Sequence, residues 1–450
     1  MFQDNERNRL SGRIARYAKV GGSFGGIALQ AGVTKLAGRD LFSPENAKEL
    51  ARVLGSLKGP MVKAAQIAAM VPDLLPEDIA NELRQLQSQA PAMGWLFVKR
   101  RMRAELGDGW QEKFASFEQQ ACAAASLGQV HKATDHDGAA LACKLQYPDM
   151  ASAVEADVEQ LKAMLGLVRR YHGIIDFSAV IEELRERLRE ELDYNQELKH
   201  IKLFKTMLEE VEGVHVPRPY PEFSTSRLLT MQWLEGEKLL DWLKTESSQD
   251  ARNALAIKMF RIWYSPFYHY GIIHADPHFG NYSITSEGDL NLLDFGCIRV
   301  FSPEFVQGVI DLYHAVRDKD QALALKAYQA WGFDNPNQEL VETLNIWSSF
   351  LFAPLLEDKV QLLQGGETTK RGQEAMGRVR EKLHKLGGVK LPKPFIFMDR
   401  AAVGLGSVFT HLKAEVNWHQ LFQDQIQGFC VDKLYEKQAK LLNKPQIEPL

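Results

Sequence analysis

The stretch HADPHFGNYSITSEGDLNLLDFG, residues 274–296, is the part of this sequence whose reading decides the fold. It places Asp276, then Asn281 five residues on, then Asp294 near the end of the apolar run LNLLDFG. An acid, an amide and a second acid in that order suit phosphoryl transfer. Mg²⁺ takes hard oxygen ligands, and a carboxylate must orient the attacking hydroxyl or water. Asn281 and Asp294 are the candidate metal ligands, and Asp276 the candidate base or positioning group. Singly, Asp294 would read as a turn after a strand and Asn281 as a turn residue. The ordered set is what points to chemistry.

Upstream, Lys144 lies in the apolar strand pattern LACKLQY. A lysine buried there needs a partner, whereas on an edge strand it would face water. Carboxylate candidates lie on the helical stretch EELRERLREELDYNQELKH. Helical geometry puts Asp193 and Glu197 on one face and turns Glu191 elsewhere. The other acids of that stretch read as a solvated face. Lys63 and Gln66 interrupt the alanine-rich helical pattern MVKAAQIAAM; on spacing alone Lys63 snorkels to solvent and Gln66 makes a local hydrogen bond. The segment AAASLGQVHKA sets Ala123, Ala124, Ala125 and Ser126 before a single glycine, Gly128. Alanine disfavours the positive-φ conformations open to glycine, so phosphate contact here is expected to differ from that of a glycine-rich loop.

The whole chain frames these residues. Its 450 residues, 45% apolar and 25% charged, suit a soluble globular protein of two or three lobes. A net charge of −4 argues against nucleic acid as the main partner. Cys122, Cys143, Cys297 and Cys430 lack metal-type spacing, which fits a reduced, cytosolic setting. No run of 18 apolar residues occurs, so no spanning helix is expected. Residues 1–40 are rich in arginine and contain VGGSFGGIALQAGV, which reads either as a solvated leader or as a basic membrane-surface segment.

Residues 41–110 carry a helical pattern. FASFEQQAC, QVHKAT and AALACKLQY then read as strands, joined by AAASLG and by a turn at Asp135–Gly138. Helical stretches follow over about 149–171 and 177–208, and HVPRPYPEF and RLLTMQWL read as two more strands. From about Leu239 onward the pattern is helical except for His274–Phe301. The fold class is α+β, with a small sheet lobe and a larger helical lobe. The expected divisions are 1–40, 41–110, 111–235 and 236–450.

Taken together, these motifs resemble the AarF/UbiB atypical kinase family, within it the group tied to coenzyme Q biosynthesis, over about residues 41–300. Lys63-Ala64-Ala65-Gln66 resembles its K-x-G-Q signature, and Ala123–Ser126 its alanine-rich loop. Lys144 matches its strand lysine, Glu191-Leu192-Asp193 its E-x-D motif, and Glu197 the lysine-pairing helix glutamate. His274–Asn281 and Asp294–Gly296 match its H-x-D-x-x-x-x-N and D-F-G elements. The resemblance implies a protein-kinase-like bilobal fold with a helical extension over the active site. It implies ATP and Mg²⁺ as cofactors, Lys63 meeting Glu191 or Asp193, and Lys144 meeting Glu197. Three departures stand out. Ala65 replaces the signature glycine, Phe279 stands where the family often has proline, and no C-terminal pair of membrane helices is read.

After Gly296 the sequence CIRVFSPEF runs straight into helical pattern, with no long activation segment, so a peptide substrate site is not expected. The implied function is an ATPase or small-molecule phosphoryl transfer that supports ubiquinone or isoprenoid-lipid metabolism, in the cytoplasm or peripheral to the inner membrane. Its implied partners are a quinone precursor or isoprenoid lipid, a membrane surface, ubiquinone biosynthesis proteins and a second copy of the chain. A nucleotide-gated lipid-binding scaffold and an aminoglycoside- or choline-type kinase are the alternatives. Against the latter stand the Lys63–Gln66 segment and the alanine loop.

Overall fold

The computed structural model describes residues 92–124, 127–159, 162, 182, 185–186, 188–246, 248–363, 377, 379, 381–382 and 392–442. They divide into two compact units. The first comprises the described residues up to Lys199 together with Arg218–Trp233; the second comprises His200–Pro217 and the described residues from Leu234 on. Lys63, Gln66, Ala125 and Ser126 lie outside the described residues, as does the N-terminal basic segment.

In chain order the first unit begins with α1 (Trp95–Leu106), β1 (Ser116–Phe117), β2 (Ala123–Ala124), β3 (Gly128–Thr134) and β4 (Ala140–Gln146). Residues 150–159 are helical. Helix α2 (Tyr194–Met207) follows, β5 (Val214–His215) belongs to the second unit, and β6 (Leu228–Gln232) returns to the first. The sheet runs β1-β3-β4-β6, with β2 also paired to β3. Side chains alternate across a strand, and β4 uses both faces. Leu141, Cys143 and Leu145 point into a core with Val98 and Met102, one turn apart on α1, and Leu228. Lys144 therefore takes the opposite face. Because β4 lies between β3 and β6, Lys144 is on a central strand and not at an edge.

Three expectations about local structure are corrected. FASFEQQAC holds only the two-residue strand β1, and the alanines after it are not merely a joint. Ala123 and Ala124 are extended and pair with Val130 and Gln129. HVPRPYPEF is not a strand beyond Val214–His215; it includes a 3₁₀ turn at Pro221–Phe223. Pro217, Pro219 and Pro221 have no N–H to give a ladder. The helical pattern over 177–208 breaks at residues 191–193, so the shared-face argument for Asp193 and Glu197 within one continuous helix does not hold. Asp193 starts a new helix instead: its Oδ1 accepts from Asn195 N at 3.0 Å, and its carbonyl accepts from Glu197 N at 3.2 Å.

The second unit continues with β7 (Glu237–Lys238), α3 (Leu239–Thr245), α4 (Gln249–Tyr270), β8 (Ile272–His274), β9 (Tyr282–Ile284), β10 (Leu290–Leu292) and β11 (Ile298–Val300). Next come α5 (Pro303–Asp318), α6 (Gln321–Ala330), α7 (Gln338–Leu356), β12 (Gln361–Leu362), α8 (Lys393–Leu412), β13 (Glu415–Val416), α9 (Trp418–Ile426) and α10 (Val431–Leu442). One short sheet is ordered β5-β10-β9-β7, and β8 pairs antiparallel with β11. The chain passes directly from β11 into α5. Ser302 caps that helix by accepting from Phe305 N at 3.2 Å, and Pro303 occupies its first turn, where a missing N–H costs nothing. Aromatic packing fills the helical core, as where Tyr313 meets Phe422 at 4.7 Å between ring centroids. Among the described residues no helix is long and apolar enough to cross a membrane.

Candidate functional site

Lys144 is the centre of the first unit's polar face. Its Nζ donates to both oxygens of Glu197, at 2.8 and 2.9 Å. The lysine side chain is 14% exposed and the glutamate 3%, which makes this a buried pair rather than a surface one. The Tyr194 ring lies 5.2 Å from Nζ and adds cation–π attraction. Tyr194 and Glu197 are three residues apart on α2 and so share a helix face. The sequence reading passed over Tyr194, although that spacing was there to find it.

The turn before α2 is fixed from the sheet. Gln146, two residues after Lys144, donates through Nε2 to the Leu192 carbonyl at 2.9 Å, and Tyr194 N donates to Ser226 O at 3.2 Å. Glu191 and Asp193 are half-buried on this turn, and Asp193 is occupied in capping α2. Ala123 and Ala124 sit in β2, exposed and extended. Gly128 is buried within β3 rather than in an open loop. A Cβ there would collide with the Leu145 carbonyl oxygen and stand 3.0 Å from the Tyr194 hydroxyl. Its glycine is required by the close approach of β4 and α2.

Beside these strands runs a buried polar relay. Gln129 clips the backbone of Met93: its Oε1 accepts from Met93 N at 2.6 Å and its Nε2 donates to Met93 O at 3.2 Å. The same Nε2 lies 2.8 Å from His131 Nε2, and His131 Nδ1 lies 2.9 Å from the Glu118 carbonyl. A neutral imidazole that accepts at Nε2 and donates from Nδ1 satisfies both contacts. Burial lowers the His131 pKa from 6.5, in keeping with that neutral form. Burial also pushes the Cys143 thiol up to about 12, which leaves it inert behind Lys144.

In the second unit the quoted stretch folds into two loops laced together. His274 Nε2 donates to the Asp294 carbonyl at 2.7 Å, while its Nδ1 accepts from Asp276 N at 3.3 Å. Asn281 Nδ2 donates to the Asp276 carbonyl at 2.9 Å, and Leu293 N donates to the Asn281 carbonyl at 2.9 Å. Ala275 N donates to Cys297 O at 2.8 Å. These ties bring Asp276, Asn281 and Asp294 onto neighbouring loops, each at the end of a short strand. One Asp294 oxygen, Oδ1, accepts from Gly296 N at 3.0 Å. Phe295 is fully buried against Phe204, and His200 Nδ1 holds the Phe295 carbonyl at 2.8 Å. Tyr282 is held protonated, first by burial and further by the negative charge of Asp276, against the hydrogen bond from Trp263. His274 had no assigned role from sequence; the structure makes it the latch between the two loops.

The donor set suits Mg²⁺. Asn281 is turned by its amide nitrogen so that Oδ1 is the end able to face a cation, and Asp294 supplies a hard carboxylate. Among the described residues no group of three or more His, Cys, Asp or Glu side chains forms a cage. Mg²⁺ needs none, because it is held by one or two carboxylates together with waters and substrate phosphates.

A family model described as the ABC1 atypical kinase-like domain matches residues 85–328. An aarF domain-containing protein kinase of Arabidopsis thaliana chloroplasts is 32% identical over 72% of this chain and 46% of its own length. The mitochondrial atypical kinase COQ8B of Rattus norvegicus is 29% identical over 73% of this chain and 64% of its own length. The chain thus spans 46% and 64% of the length of these two relatives, less than two thirds of either. Among solved structures, that of Rv3197 with erythromycin, from Mycobacterium tuberculosis, aligns with a TM-score of 0.59 and 24% identity. It covers 89% of this chain and 98% of its own. At that identity the likeness bears on fold alone.

Proposed function

Since the chain belongs to the ABC1 atypical kinase-like family, we propose that it binds Mg-ATP and acts as an ATPase or small-molecule phosphoryl transferase in ubiquinone or isoprenoid-lipid metabolism. The observation that carries this reading is the buried pair of Lys144, on a central strand, with Glu197 of α2. A cation held in place by a carboxylate is what positions nucleotide α- and β-phosphates in kinase folds. Lys144 would neutralise those phosphates, Asn281 and Asp294 would hold Mg²⁺, and Asp276 would orient the attacking hydroxyl or water. Bound Mg²⁺ would supply charge neutralisation on the phosphates. Lys63, in the segment that also carries Gln66, would meet Glu191 or Asp193. The metabolic assignment rests on relatives named COQ8, and the place of action would be the cytoplasmic face of a membrane.

ATP turnover by the purified chain tests the proposal, with and without anionic liposomes carrying a quinone precursor. We expect turnover that rises with membranes and is abolished by Asp294→Asn. No nucleotide binding in any condition would overturn it. A scaffold that binds nucleotide with negligible turnover is the second reading, favoured by the extended pair Ala123–Ala124 where kinases use glycine. Asp276→Asn separates the two. Under the enzyme reading it removes at least about 10²-fold of turnover and leaves nucleotide affinity intact; under the scaffold reading it changes neither binding nor function in the cell.

A further inference from the structure

The helix α8 lies outside the residues matched by the family model, yet it carries the seat of the loop from Asp276 to Asn281. Gly404 stands in the interior of α8, where glycine costs about 1 kcal/mol relative to alanine. The reason for a glycine lies in the loop. A Cβ at position 404 would fall well inside van der Waals contact of Pro277 Cγ, with Cδ at 3.3 Å and Cβ at 3.6 Å. Seven residues on, His411 meets Phe279 edge to face, with ring centroids 4.8 Å apart and planes at 71°. A separation of seven residues is two helical turns, so Gly404 and His411 share one face of α8. Pro277 and Phe279 lie along that face. They flank the loop's reactive positions: Asp276 directly precedes Pro277, and Asn281 follows Phe279 by two residues.

We propose that Gly404 and His411 are positioning residues for Asp276 and Asn281, with α8 bracing one side of the loop and the His274 latch holding the other. The proposal rests on the reading of Asp276 and Asn281 as working groups. It also accounts for Phe279, whose ring reaches His411 where a proline would present less surface. Chemistry at the loop then depends on the docking of a helix more than a hundred residues downstream of it in sequence.

The test is a size-complementation cycle of Gly404→Ala, Pro277→Ala and the double variant. Gly404→Ala forces a shift of about 1 Å to restore ordinary contact. A misplacement of that size costs roughly 10²-fold in turnover, and nucleotide affinity, which depends also on Lys144, should change less than about threefold. Pro277→Ala removes the ring atoms that collide, so the double variant should regain the kcat of Pro277→Ala alone. A purely structural glycine would lower stability without this reciprocal recovery in kcat. A double variant no faster than Gly404→Ala, or Gly404→Ala as fast as the parent, would overturn the proposal. Should Gly404→Ala fail to fold, Phe279→Ala removes the ring against His411 without adding volume, and full kcat in that variant would overturn it equally. If the parent chain shows no turnover, the functional reading fails and hydrogen exchange at the amides of 278–281 decides the seat. Exchange at least tenfold faster in Gly404→Ala and restored in the double variant supports it; equal rates in all four proteins sink it.

Discussion

Glu197→Gln keeps the size of the side chain and removes the charge that faces Lys144. The lysine Nζ makes bonds of 2.8 and 2.9 Å to a carboxylate that is 3% exposed, and is itself 14% exposed. Removing one member of a buried pair costs about 3–5 kcal/mol, because the remaining charge is left uncompensated. The residual exposure of Lys144 and the Tyr194 ring at 5.2 Å place this site at the lower end, near 3 kcal/mol. For a unit of this size each kcal/mol moves Tm by about 2–4 °C, so the midpoint should fall by about 6–12 °C. The pair Lys144→Met with Glu197→Leu should return to within about 1 kcal/mol of the parent, since apolar replacement of both partners is close to neutral. That doubly apolar variant should bind no nucleotide, which separates the stability role of the pair from its role toward phosphate. Calorimetry and urea unfolding of the parent, Glu197→Gln and the doubly apolar variant give the comparison. A Glu197→Gln loss below about 1 kcal/mol would refute the reasoning, because it would put Lys144 among solvated lysines.

Two further outcomes follow from the same geometry. Gly128→Ala should destabilise the sheet unit by about 1–3 kcal/mol through overpacking against the Leu145 carbonyl; an unchanged urea midpoint would show that β3 and β4 part without cost. Burial holds His131 below the ordinary value of 6.5, so at this residue the unfolded chain binds more protons than the folded one. Its contribution to stability is therefore complete above that pH and is lost as pH falls through the lowered folded value, by at most about 1.4 kcal/mol per pH unit. His131→Gln should flatten the slope of unfolding free energy between pH 7.5 and 5.5, and an identical slope would show that His131 does not titrate with folding.

Much of this protein was legible in the sequence because local rules decide it. The alternation of LACKLQY fixes which face of the strand Lys144 takes, and SPEF announces a capped helix directly after β11. The order and spacing of Asp276, Asn281 and Asp294 singled out the stretch 274–296, with Asp294 placed after an apolar strand, and that strand forms as β10. The misreadings also had local causes. Three prolines stripped donors from the expected strand at 215–223, and helical periodicity gave no sign of the break at 191–193. Only the tertiary structure decided the rest. Glu197 lies 53 residues from Lys144; the family resemblance named it, spacing alone did not, and in the fold the turn that Gln146 holds brings it there. The need for glycine at 128 and at 404 comes from backbone or ring atoms brought near from elsewhere in the chain. Periodicity reports only how a segment lies against its surroundings; which groups meet there is set by packing between distant segments, where van der Waals contact and desolvation act over a few ångströms.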